Sequence, residues 1–197
     1  MNLLLVIAIP LLTSIALLLT KNKSSVKWIA LTGSAVQLVL AFALLFAFRN
    51  ERAAGNSAQM LFELQYTWFP AWNINFHLGV DGISVAMVLL TAFVVIAGVL
   101  VSWKVEKMTK EYYFLLILLG MGAYGFFISL DLFTLFFFLE ISVIPKYLLI
   151  GIWGSGKKEY SANKLALMLM GGSALVLVGM LGLYFSSGPE HTFDLLK

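Results

Sequence analysis

Glu140 is the one acidic residue set deep inside a long apolar run of this sequence, the segment from Leu132 to Ile152. Eight residues separate it from the start of that run, which at a helical rise of 1.5 Å puts it roughly 12 Å in. In hydrocarbon a carboxylate costs on the order of 3 kcal/mol by insertion scales for a comparable acid. Such a residue turns to the protein interior or to a water path and takes a partner there. Desolvation disfavours the charged form and a nearby cation favours it, so a site combining both influences can load and unload a proton. That is the chemistry of a proton relay. A fixed structural pair, or a hydrogen-bonded acid joining two helices, is the competing use.

Lys146 and Pro145 follow six and five positions later. Six residues turn 600°, so on a straight helix Lys146 lies about 120° round from Glu140 and about 9 Å along, too far round to pair. Pro145 has no amide for the carbonyl of Ile141, which predicts a kink just past the acid. Helix side chains lean toward the N-terminus, which aims Lys146 back as a modulator of Glu140. Its stem is equally able to snorkel toward the near helix end. Asp131, between two apolar runs, suits a helix N-cap or a role at the outer side of a proton path, and Asp81 suits an N-cap. Lys164 opens the last apolar run, as a topology signal or as a point where protons are taken up. His77 and His191 have no metal-ligand partner at useful spacing and read as incidental.

The elements that must position these residues are transmembrane helices. With 61% hydrophobic and 12% charged residues, against about a quarter charged in a soluble domain, the chain carries more apolar side chains than a single globular core hides. Six runs, at 3–20, 28–48, 83–103, 112–130, 132–152 and 164–185, approach or reach the roughly 20 residues that span hydrocarbon. Runs such as Leu3-Leu4-Leu5-Val6-Ile7 lack the alternation of a barrel strand, and helices satisfy every backbone amide internally. The expected fold is therefore an all-α membrane protein of six transmembrane helices. Its divisions are helices 1–2 over residues 1–48, an outer loop with an interfacial aromatic segment over 49–82, and helices 3–6 over 83–197. Tyr66, Trp68, Phe69 and Trp72 mark that segment, either lying on the membrane surface or capping the helix ends.

Orientation follows from Lys and Arg. Nine basic residues (Lys21, Lys23, Lys27, Lys104, Lys107, Lys110, Lys157, Lys158 and Lys164) fall at one side, against Arg49, Arg52 and Lys197 at the other. The first side is thus cytoplasmic and the N-terminus outside. The first run lacks a preceding positive charge and a cleavage site, so it reads as an uncleaved span. A net charge of +3 clustered in this way encodes topology rather than nucleic-acid binding. There is no Cys, which excludes disulfides and thiolate metal sites. No phosphate loop, nucleotide fingerprint or Ser–His–Asp set is present, so no cofactor is expected in this chain. Gly120, Gly122 and Gly125, and likewise Gly171, Gly172 and Ser173, permit close helix approach.

Several segments together carry a family resemblance. Leu78-Gly79-Val80-Asp81-Gly82-Ile83-Ser84 resembles the L-G-V-D-G-[IL]-S signature of subunit M of respiratory complex I, NADH:quinone oxidoreductase. Phe138-Leu139-Glu140-Ile141-Ser142-Val143-Ile144-Pro145, followed by Tyr147 to Gly154, resembles a second signature, and Gly171-Gly172-Ser173 and Thr192-Phe193-Asp194 also fit. The resemblance implies the first six helices of a fourteen-helix antiporter-like fold that translocates protons, with the chain an N-terminal fragment of it. It implies Glu140 as the essential acid of the first half-channel, partnered in the family by a lysine on a seventh helix. Lys146 departs from the family, where an apolar residue is expected. By the same resemblance the partners are other membrane subunits of complex I, the lipid bilayer and protons, in a bacterial inner (plasma) membrane. NADH, flavin mononucleotide, iron–sulfur clusters and quinone are expected in partner subunits. Rival assignments are a multi-subunit cation/proton antiporter, a relative within membrane-bound hydrogenase, and a non-conducting assembly scaffold.

Overall fold

The computed structural model describes residues 2–188 and 191–196; Lys197, counted with the sparsely basic side, and Met1 lie outside them. Seven helices and one two-stranded sheet follow in the order α1 (Leu4–Leu19), α2 (Lys23–Ala53), β1 (Leu61–Phe69), β2 (Ile74–Val80), α3 (Gly82–Val101), α4 (Thr109–Ile128), α5 (Leu132–Ile141), α6 (Val143–Trp153) and α7 (Lys158–Ser186). With α5 and α6 taken as one broken span, five helical segments are long and apolar enough to cross a membrane, and α1 is a shorter apolar helix. Helices therefore lie at all six expected positions, five of them long enough to span. The helices α2 and α7 run several residues beyond the apolar runs, because the polar turns 49–53 and 158–163 stay helical.

The lysine-bearing connections meet at one end of the bundle. The Lys27 ammonium donates to the carbonyl of Trp103 at 2.7 Å, Lys110 donates to Leu18, and the Trp153 indole donates to Lys107 O at 2.7 Å. The packed interior lies between α1, α2, α3 and α4, with Leu3, Val6, Leu44, Val85, Val88, Tyr124 and Ile128 fully enclosed. Little covers α7: Gly171 and Gly172, expected at a close helix approach, have no neighbour within 4 Å of the position a Cβ would take.

Residues 49–82 differ from the expected outer loop. Instead, α2 continues to Ala53 and Leu61–Val80 form an antiparallel hairpin, with Leu64 opposite Leu78, Gln65 opposite His77 and Tyr66 opposite Phe76. The register shifts between Leu61 and Leu64, where Phe62 takes a positive φ of 57°, as bulges do. Asn73, at φ 49°, closes the turn in the left-handed conformation Asn tolerates. The second strand is buried on both faces. Ile74, Leu78 and Val80 point one way, Asn75 and His77 the other, and all five are enclosed. At Gly79 a Cβ would sit 2.5 Å from Leu130 Cδ1, so glycine there admits the α4–α5 connection against the strand. The hairpin is thus a cap over helix ends, while Tyr66, Trp68, Phe69 and Trp72 of its outer strand and turn stay exposed.

Candidate functional site

Among the described residues two clusters of titratable groups bear on function, one within the broken span and one under the hairpin. In the first, α5 stops at Ile141 and α6 starts at Val143. The break follows from covalent chemistry: Pro145 cannot donate to Ile141 O, the Lys146 amide reaches Ser142 O only at 3.4 Å, and Ser142 turns its own amide to Leu139 O at 3.1 Å. Glu140 occupies the last turn before this break. Its Oε1 is buried with no hydrogen-bond partner, and among the described residues no cation forms an ion pair with it. A carboxyl oxygen left in that state carries the desolvation of the group without compensation, so the atom is open to a partner from outside the described residues.

Lys146 leans back one turn, as helix geometry directs, but ends on Ser142 Oγ at 3.0 Å and not on Glu140. It borders a cleft of about 350 Å³ between α3, α4 and α6, lined by Met87, Thr91, Val94 and Gly120 among others. The α4 helix presses directly on the break: Gly122 lies where a Cβ would meet Phe138 O and Ser142 Cβ, each at 3.0 Å. Lys164 lies apart from this cluster, exposed on the second turn of α7 with its Nζ 6.0 Å over the Tyr160 ring.

Asp131 is about 14 Å of helix away from Glu140 and belongs to the second cluster. Its Oδ1 caps α5, accepting from the amides of Phe133 at 2.9 Å and Thr134 at 3.1 Å, and its Oδ2 accepts from Asn75 N at 3.4 Å. Asp81 caps α3 in the same way, through Ser84 N at 2.7 Å. Asp131 is completely buried. Burial pushes its carboxyl above the ordinary 3.8 and the neighbouring Asp194 adds to the rise, against three backbone amides that lower it. With the folded value raised, the stability tied to protonated Asp131 is present below the unfolded value and is lost as pH rises through the folded one. Asp131→Asn, which keeps an oxygen for the two capping amides, is expected to remove that decline in a pH series of thermal denaturation. Asp131→Ala is expected to cost about 1 kcal/mol or more through the lost cap.

His77, read from its spacing as incidental, is enclosed beneath the hairpin between two carboxylates. Only 5% of it is exposed. Its Nδ1 lies 3.2 Å from Asp194 Oδ2 and its Nε2 lies 3.5 Å from Glu63 Oε2. The partners are 14 and 117 residues distant in sequence, joined only by the hairpin register and by residues 193–195 pairing with the α4–α5 connection. That pairing runs through Leu195 N to Leu130 O and Leu132 N to Phe193 O, both at 2.9 Å. His191 lies apart from this cluster, its ring against Tyr184 and Phe185. No group of three or more His, Cys, Asp or Glu among the described residues is arranged to hold a metal.

Residues 129–197, which hold Glu140, Lys146, Asp131 and Asp194, match the family model described as NADH:quinone oxidoreductase/Mrp antiporter, TM. The chain is 39% identical over 136 residues to chloroplastic NAD(P)H-quinone oxidoreductase chain 4 of Angiopteris evecta, covering 68% of this chain and 27% of that protein. It is 33% identical over 192 residues to NAD(P)H-quinone oxidoreductase chain 4 2 of a Picosynechococcus strain, covering 96% of this chain and 36% of that one. The chain thus spans about a third of the length of these relatives. In fold it superposes on a chain of respiratory complex I from Thermus thermophilus with a TM-score of 0.83 and 22% identity, over 98% of this chain and 38% of that one.

Proposed function

We propose that the chain, whose residues 129–197 match the NADH:quinone oxidoreductase/Mrp antiporter transmembrane family model, is a proton-translocating, antiporter-like membrane subunit of a respiratory NADH:quinone oxidoreductase. The observation that carries this reading is the buried, unpartnered Oε1 of Glu140 beside a break in its own helix. A carboxyl group in that position binds a proton when no cation faces it and releases the proton when one approaches. The break supplies Ile141 O, freed by Pro145, as an acceptor for the water through which the proton moves. Electron transfer in partner subunits, which hold the flavin, iron–sulfur clusters and quinone, drives the change in local charge; this chain moves the proton and holds no redox group. The lysine-rich end faces the cytoplasm and the hairpin end the outer side of a bacterial inner membrane.

Lys146 is a modulator in this account, bound to Ser142 in the state described here. Lys146→Met is expected to retain at least about half of coupled proton translocation and to be tolerated better than Glu140→Gln; the reverse ranking, measured in the same preparation, would transfer the central role to the lysine.

The family description also covers Mrp antiporters, so the alternative is a cation/proton antiporter subunit without redox coupling. Mild solubilisation of the full-length protein and identification of its co-purifying subunits separates the two. Proteins carrying flavin and iron–sulfur clusters are expected. A complex made only of small membrane subunits, with no NADH oxidation, would replace the first reading by the second.

A further inference from the structure

We propose that Glu63, His77 and Asp194 form a second proton-binding site, at the hairpin end of the bundle, that passes protons between solution and the buried Asp131–Asp194 pair. The site stands on side chains from three separate elements. Glu63 comes from β1 with its side chain 48% exposed, His77 from β2 with 6%, and Asp194 from the segment after α7 with 2%. The three thus run in a line from the surface inward. Each ring nitrogen of His77 faces a different carboxylate. A neutral imidazole has one N–H and can donate to one of them only; the imidazolium donates to both.

Charge sharpens the argument. The titratable groups facing this ring are Glu63 from the hairpin's own partner strand and Asp194 from the terminal segment. Asp131, on the α4–α5 connection, is tied to that segment by the bridge between Asp131 and Asp194. Among the described residues no Lys or Arg forms an ion pair with any of the three acids. Two carboxylates face the one buried imidazole, and a third, Asp131, is enclosed beside Asp194, so ionising all of them together carries a desolvation and repulsion cost. A carboxylate on each ring nitrogen gives the cluster places to hold a proton, and Glu63 opens them to solution. Asp194 has its remaining oxygen, Oδ1, on the Leu196 amide at 3.0 Å, which leaves Oδ2 free for exchange with the ring.

In a transfer inward, a proton from solution binds Glu63 and moves to His77 Nε2, while the proton on Nδ1 moves to Asp194 Oδ2. One proton arrives and one leaves, so the ring carries no added charge and is left as its other tautomer. The reverse transfer restores it. The site is thus a reversible loading point rather than a one-way wire. The proton binding stands on the geometry alone; its part in translocation rests on the function proposed above.

The experiment uses the full-length protein in its complex, reconstituted so that pH is varied on the hairpin side only. His77→Gln keeps a donor for Asp194 but carries no proton, and Glu63→Gln removes the exposed end without touching the core. Both variants are expected to slow proton translocation by at least about tenfold, modest for a positioned proton carrier, and to flatten its dependence on hairpin-side pH, with assembly unchanged for Glu63→Gln. Wild-type rates and pH profiles in both variants would overturn the proposal. So would a loss in His77→Gln that follows the amount of assembled complex while Glu63→Gln behaves as wild type, since that marks a purely structural tie. Glu140→Gln measured alongside keeps the two readings apart. If it is inactive while both hairpin variants are normal, only the relay falls; if it pumps normally while the hairpin variants lose pH dependence, only the role of Glu140 falls.

Discussion

Glu140→Gln in the assembled complex is expected to abolish coupled proton translocation, a loss of at least about a hundredfold by the scale on which positioned proton carriers contribute, whereas Glu140→Asp retains part of it. The glutamine is nearly isosteric, keeps an oxygen and can be hydrogen-bonded in the same place, so helix packing and assembly are preserved. What disappears is the ability to take up and lose a proton. Because the amide leaves the same buried oxygen without a partner, thermal stability is expected to stay close to that of the wild type. This separation of stability from transport distinguishes a proton carrier from a structural acid. Aspartate is shorter by one methylene, so its carboxyl stays titratable but is withdrawn from the break, and transport falls without vanishing. Proton uptake in reconstituted vesicles, measured alongside electron transfer, checks both variants. Normal pumping in both would remove Glu140 from the path.

The second large effect concerns the packing that holds the break in place. At Gly125 a Cβ would lie 2.3 Å from Phe138 Cδ1 and 2.4 Å from its Cγ. Phe138 cannot retreat easily: it is 4% exposed and wedged against Phe76 of the hairpin and Phe137. Gly125→Val is therefore expected to destabilise the protein by about 1–3 kcal/mol or more and to lower the amount of assembled complex, through the contact that sets where Glu140 lies. Gly171→Val, on the uncovered face of α7 with nothing within 4 Å, serves as the matched control and is expected to be close to neutral within this segment. Thermal denaturation of Gly125→Val with and without Phe138→Leu tests the cause. The smaller side chain should recover a substantial part of the loss, and no recovery would place the defect elsewhere.

The spans and the break in the fifth were legible because they depend on local chemistry. Long apolar runs force helices in lipid, and a proline five residues after Glu140 opens the helix at a position that can be counted. The lean of Lys146 toward its own N-terminus also follows from helix geometry, but its stopping point on Ser142 depends on where the break rotates the chain. The hairpin was the main omission. Phe62, Leu64, Tyr66 and Trp68 alternate with Glu63, Gln65 and Thr67, a period of two that marks a strand. In a chain so apolar, the aromatic residues of this stretch read more readily as a membrane-surface belt. Without the hairpin, His77 has no visible neighbour, because Glu63 reaches it through cross-strand register and Asp194 through a contact across 117 residues. Burial of Asp131 was equally hidden. Its capping role follows from its place before Leu132, whereas its enclosure depends on residues 193–195 closing over the connection.

The most direct test of the central claim is isotope-edited infrared difference spectroscopy of the full complex, comparing resting and turning-over states. A carbonyl stretch of a protonated carboxylic acid is expected that changes with turnover, shifts in deuterium oxide and is missing from Glu140→Gln. An identical carboxyl band in the wild type and in Glu140→Gln would contradict it, because the group changing its protonation would then be another acid.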